Sequence, residues 1–162
     1  MKLFYLFSFI SFMSFAQKQD TIYYNHLWKN SPQNEAFFYK VYTTNDSNEI
    51  IGLVHDYFIT GELQWSGNMS HIDKLDNEKD VDFGLCTWYH KNGKKSSQVN
   101  KIDGKSTGIE TYWDENGNKI KEEEYKMGLL DGKVITYSIN GLVKTETDYI
   151  SGYQDGKLKS KH

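Results

Sequence analysis

The pattern with the most chemical promise is Gly104-Lys105-Ser106-Thr107-Gly108, which fits the Gly-x-Ser-x-Gly frame of a nucleophile elbow. Such an elbow sets a serine on a sharp turn between a strand and a helix, with an acid and a histidine later in the chain. The same frame recurs without serine at Gly128-Leu129-Leu130-Asp131-Gly132 and Gly152-Tyr153-Gln154-Asp155-Gly156. A strand pattern follows Gly108 and the only later histidine is His162, so these glycines read as turns and Ser106 as no nucleophile. Asp73, Asp76, Glu78, Asp80 and Asp82 offer hard oxygen ligands of the kind calcium takes, but the Asp/Asn-Gly spacing of a calcium loop is missing. They read as a solvated acidic loop, and no metal or cofactor is expected. His26, His55, His71, His90 and His162 lack paired ligand spacing. Cys86 is the one cysteine; it excludes an internal disulfide and reads as tolerated variation, the alternative being a link between two chains. No catalytic constellation emerges, and the expectation is that the protein is not an enzyme.

Composition narrows the classes further. The basic residues number 19, all of them Lys, against 22 Asp and Glu, for a net charge of −3. A mildly acidic chain without guanidinium groups is poorly suited to phosphates or base edges, so nucleic-acid binding is disfavoured. At the N-terminus, Met1-Lys2 precedes an apolar run from Leu3 to Phe15 and the small-x-small site Ser14-Phe15-Ala16. This is the pattern of a signal peptide over 1–16, cleaved before Gln17. A membrane span needs about 20 apolar residues, and Gln17-Lys18-Gln19-Asp20 follows too early for one. The expected location is periplasmic or secreted, with no membrane span in the mature form. Aromatic residues make up 15% of the chain, so rings must supply much of the buried area.

The positioning elements declare themselves through glycine. Gly84, Gly108, Gly132 and Gly156 share one spacing of 24 residues, as do Gly93, Gly117 and Gly141, and Gly104, Gly128 and Gly152. Asn92-Gly93, Asn116-Gly117 and Asn140-Gly141 fall at one phase, and Asn-Gly predicts a type I′ hairpin turn with positive φ at both central residues. Strands flank each turn: 85–89 and 94–102, 109–113 and 118–126, 133–137 and 142–150. The expected organisation is all-β. N-terminal strands over 17–51 pack on a repeat sheet spanning 52–156, with units 52–83, 84–107, 108–131 and 132–155 and a tail over 157–162. The first unit carries an insertion of eight residues, falling in Ser70 to Phe83. Together the units form an extended, twisted antiparallel meander.

The two-residue period of a strand then sorts side chains by face. Leu53, Leu85, Ile109 and Lys133 share one with His55, Thr87, Thr111 and Ile135, and with the aromatic column Tyr57, Tyr89, Trp113 and Tyr137. This is the expected packing face. The opposite face, with Asp56, Trp88, Tyr112 and Thr136, is expected to be exposed, and Trp88 and Tyr112 together with Trp65 form the candidate interaction surface. The alternative is that a second layer, from the N-terminal strands or another subunit, covers those rings.

The frame Gly-x-x-x-aromatic-aromatic, then Asn-Gly, then a tyrosine strand, then a second glycine turn resembles the bacterial variant of the MORN repeat over 84–107, 108–131 and 132–155, and more weakly over 52–69. The resemblance implies a repeated-hairpin architecture and carries the label of a YwqK-type antitoxin. The segment Asp56 to Gln64 is also similar to exported repeat proteins of the Bacteroidetes type. The leading expectation is a non-enzymatic platform at the cell envelope that binds another protein, because repeats present an extended regular surface. The alternative is an antitoxin or immunity-like protein that neutralises a toxin. Open edge strands would permit a homodimer by edge pairing, with Lys157, Lys159 and Lys161 protecting the C-terminal edge.

Overall fold

The computed structural model describes residues 17–154 and the backbone at Lys159 and Ser160. Residues 1–16, expected to be a signal peptide, and most of the C-terminal tail lie outside the described residues. Ten long antiparallel strands follow one another in chain order across one sheet: β1 (Lys18–Tyr24), β2 (Phe38–Thr44), β3 (Ile50–Phe58), β4 (Leu63–His71), β5 (Val81–Tyr89), β6 (Lys95–Ile102), β7 (Lys105–Trp113), β8 (Lys119–Lys126), β9 (Leu129–Tyr137) and β10 (Val143–Ile150). Two short strands, β11 (Tyr153–Gln154) and β12 (Lys159–Ser160), line the outer side of β10. Contacts between strands run between sheet neighbours, as a meander requires. The N-terminal strands do not pack on this sheet. They extend it in plane, β1 pairing β2 and β2 pairing β3.

The turns divide into two kinds, and the Asn-Gly turns are not the kind expected. Only their glycines have positive φ: 80° at Gly93, 88° at Gly117 and 77° at Gly141. Each is a tight turn with a bond such as Gly93 N–H to His90 O (2.9 Å), next to a register shift in the ladder. That combination is a type I turn relaxed by a glycine bulge. Both central residues have positive φ instead at Asp103-Gly104, Met127-Gly128 and Ser151-Gly152, the other set of hairpin turns. The bulge is the physical reason for the difference: by absorbing one extra residue it lets asparagine keep an ordinary backbone conformation.

A single sheet needs something to cover its apolar side. Here two connecting segments do so. The loop after β1 (25–37) and the loop after β4 (72–80) fold over one face, called the inner face below, and bond to each other. Asn30 N–H donates to Leu75 O (3.1 Å), Asn77 N–H to Trp28 O (3.3 Å), and Lys29 Nζ to Asp76 Oδ1 (2.7 Å). Trp28 stacks on Phe38 with ring centroids 4.2 Å apart. Beneath lie Ile22, Tyr24, Tyr42, Val54, Trp65, Met69 and Cys86. The acidic insertion is therefore no solvated loop but part of this cover.

The two faces are the reverse of the expected assignment. Val54, Trp65, Cys86 and Val99 point inward and are buried, whereas Leu53, Leu85 and Ile109 point outward at 52%, 50% and 59% exposure. Both faces carry rings, so alternation alone does not rank them; the apolar residues of the covering loops, Trp28 and Ile72, decide it. Farther along, the inner face is held by polar contacts. Glu123, itself buried, accepts from Tyr112 Oη (2.6 Å) and Tyr125 Oη (3.0 Å) and pairs with Lys121.

Truncating a large core ring costs about 3–5 kcal/mol. Urea unfolding should therefore show Trp65→Ala destabilised by that amount and Trp113→Ala, on the outer face, by much less. Equal losses would contradict the assigned faces.

Candidate functional site

Two places in the fold hold side chains that could recognise something: the uncovered outer face and a polar cavity under the loop after β4. The register across β1–β3 brings Tyr23, Tyr39 and Tyr57 side by side on the outer face. Tyr39 and Tyr57 stack at 5.0 Å with planes 13° apart, and Tyr23 lies 6.0 Å from Tyr39. The band continues through β5–β10, where lysines on the alternate strands lie over rings: Lys95 Nζ is 5.8 Å from the Trp113 centroid and Lys119 Nζ 4.8 Å from that of Tyr137. The column Tyr57, Tyr89, Trp113 and Tyr137, expected to pack, thus forms a partly exposed band. Parallel to it runs the exposed row Leu53, Leu85 and Ile109. Between the two sits His55, where burial lowers the imidazole pKa and favours the neutral ring.

The residues expected to form an interaction surface sit on the other side. Trp65 is only 3% exposed and belongs to the core. Trp88 packs edge-on against it with centroids 6.3 Å apart. Tyr112 is half-buried, its hydroxyl committed to Glu123. All three share the inner face, Trp65 through its register with Trp88, but Trp65 is covered and the other two are half-buried. Asn92, Asn116 and Asn140 with Gly93, Gly117 and Gly141 do lie at hairpin turns. The first of these turns is tied to the second: Asn92 Nδ2 donates to Glu115 O (2.7 Å) and Lys94 Nζ to Asn116 O (2.9 Å).

The group that sequence reasoning missed is Lys40. Its side chain is wholly buried, and its ammonium donates to Asn77 Oδ1 (2.6 Å) and to Asp80 Oδ2, with Asp56 Oδ1 3.8 Å away. A signal was available. Phe38, Lys40 and Tyr42 share a strand face, as do Val54 and Asp56, so two opposite charges interrupt apolar faces of consecutive strands; in the sheet Lys40 and Asp56 are direct partners. Burial pushes the Asp56 carboxyl up to about 7, with Lys40 opposing and Asp80 adding to the rise. Burial raises Asp80 as well, against the pull of Lys40.

Beside this cluster is a cavity of about 400 Å³ lined by Asp56, Asp80, Asp82, Lys101 and three indoles, Trp28, Trp65 and Trp88. Cys86 lies next to it, its thiol pushed up to about 12 by burial and by Asp82. Among the described residues no group of three or more His, Cys, Asp or Glu side chains is arranged to hold a metal ion. No helix among them is long and apolar enough to cross a membrane. No protein-family model matches the chain, and neither curated proteins nor solved structures yielded a match.

The raised Asp56 pKa makes stability depend on pH in a defined direction. Between the unfolded value near 3.8 and about 7 the native state holds the extra proton, so stability falls as pH rises through that window. Each unit of displacement corresponds to about 1.4 kcal/mol. Asp56→Asn should match the wild type near pH 3 and exceed its stability by a margin that grows through pH 5 to pH 8, as measured by urea unfolding at the three values. A variant less stable than the wild type at pH 8 would contradict the buried-charge reading.

Proposed function

We propose that this is a non-enzymatic repeat protein whose open sheet face is a platform for another protein. The observation that carries the reading is the outer face itself: a band of rings and a parallel row of half-exposed leucine and isoleucine, left in solvent by a sheet that covers only its other side. Exposed rings and aliphatic side chains gathered on one face, here alternating with Asn100 and Glu124 of the intervening strands, mark interaction sites. Aromatic residues are also the side chains that most often anchor protein interfaces.

The finer architectural reading belongs with this proposal. Bulged Asn-Gly turns and type I′ turns alternate along β5–β10, and their glycines share one 24-residue spacing. Both support reading the chain as tandem MORN-like hairpin units. On this reading the platform lies on the face of Tyr57, Tyr89, Trp113 and Tyr137, not on that of Trp65, Trp88 and Tyr112. The N-terminal pattern of residues 1–16 supports a protein acting at the cell envelope, where the partner would be met.

The test is capture from envelope extract by the wild type, by Leu85→Lys/Ile109→Lys on the outer face, and by Trp88→Phe on the inner face. The reading expects a partner retained by the wild type and by Trp88→Phe but reduced at least tenfold with the double lysine variant, whose circular dichroism and urea midpoint stay close to wild type. Undiminished capture by that variant would move the platform elsewhere.

A further inference from the structure

The cavity on the inner face carries an unbalanced charge. Four carboxylates line it against three ammonium groups of the chain: Asp82 pairs with Lys101 at 2.8 Å, Glu78 with Lys29 at 3.1 Å, and Asp80 and Asp56 share Lys40. Asp56 has the weaker share of the Lys40 ammonium. It is 4% exposed, and among the described residues its Oδ1 has no hydrogen-bond partner, since the Lys40 ammonium stands off at 3.8 Å. A buried polar atom left unpaired costs about 1–3 kcal/mol, and more when charged. Its persistence in the wall of a cavity large enough for a small molecule calls for a ligand.

The surroundings specify what kind. Trp28, Trp65 and Trp88 line the same space, and indole is the strongest of the aromatic faces for a cation. The chain already uses this arrangement once: Lys101 Nζ lies 5.2 Å from the Trp88 ring centroid with the Asp82 carboxylate as its partner. Asp56, paired across the strands with Trp65, presents the same pair of features with only a distant share in an ammonium. A neutral sugar hydroxyl could also donate to Asp56, but it would leave the net negative charge of Asp56 and Asp80 around the single Lys40 ammonium in place. A single positive charge removes both deficits.

We propose that this cavity binds one alkylammonium group, donated to Asp56 and flanked by the tryptophans. The group could come from a free amine or from a lysine side chain of a partner, and the two sources share the same contacts at Asp56.

The experiment is a titration of the purified full-length chain at pH 8, where Asp56 is ionised and alkylamines carry their charge, read by tryptophan fluorescence and calorimetry. The probes are n-butylammonium, the N-acetylated amide of lysine, and n-butanol as the neutral control. Saturable binding of an ammonium probe, at least tenfold tighter than n-butanol and weakened at least tenfold by Asp56→Asn, supports the proposal. Preference for n-butylammonium points to a free amine, and preference for the lysine derivative to a partner's side chain. No saturable binding of either, equal binding of n-butanol, or binding unaffected in a folded Asp56→Asn protein would overturn it. If Asp56→Asn does not fold, the n-butanol comparison on the wild type decides.

Discussion

The burial of one lysine ammonium organises this molecule. Lys40 stands in the second strand at a position that faces the apolar side of the sheet, and its charge can be hidden there only if carboxylates come to it. Asp56 arrives from the adjacent strand by register, and Asp80 and Asn77 arrive from the loop after β4. That loop is thereby fixed over the sheet, where Asp80 also accepts from the backbone of Asp73 (2.7 Å) and Asp76 pairs with Lys29 of the other covering loop. Buried ion pairs add little stability over an apolar core, yet breaking one is costly because a charge is left behind. In this protein the pairing selects which face of a two-sided aromatic sheet is closed.

Closing one face leaves the other open, and the remaining features follow from that. The core is confined to the N-terminal half, where the two loops reach. Beyond them the sheet is stabilised by its ladder, by turn-to-turn bonds and by the Tyr112–Glu123–Tyr125 contacts rather than by an apolar layer. The outer face keeps its rings paired with one another or with lysine stems, which limits their contact with water while leaving an extended surface for a partner. The C-terminal side of β10 is lined by the chain's own last strands, so open ladder groups there are reduced, while β1 forms the other border.

The strands β5 to β10, their order and the places of their turns were legible because they depend on local chemistry, whereas the place of the N-terminal strands in the sheet was not. Glycine and asparagine mark turns wherever they occur, and alternation marks strands within a few residues; β7 and β9 extend four residues earlier than the pattern alone indicated. The face assignment was not legible in the same way. Tyr57 and Trp65 are equally good core residues by type, and the choice between them rests on Trp28, Ile72 and Asp80, which lie in loops without periodicity. The acidic run from Asp73 to Asp82 looked solvated because its partners, Lys29, Lys40 and Lys101, are distant in sequence. Lys40 and Asp56 were the readable exception, a matched pair of charges at apolar positions in neighbouring strands.

The central claim, that the loops close the face bearing Val54, Trp65 and Cys86, can be tested with the protein's single thiol. Cys86 is fully buried beneath that cover, while its neighbour Leu85 points to the open side. The measurement is the rate of reaction with a colorimetric disulfide reagent for the wild type and for a Leu85→Cys variant carrying Cys86→Ala. The account predicts no reaction of Cys86 in the native state until denaturant unfolds it, and rapid reaction at position 85. Rapid native-state reaction of Cys86 together with protection at position 85 would show that the faces have been assigned the wrong way round.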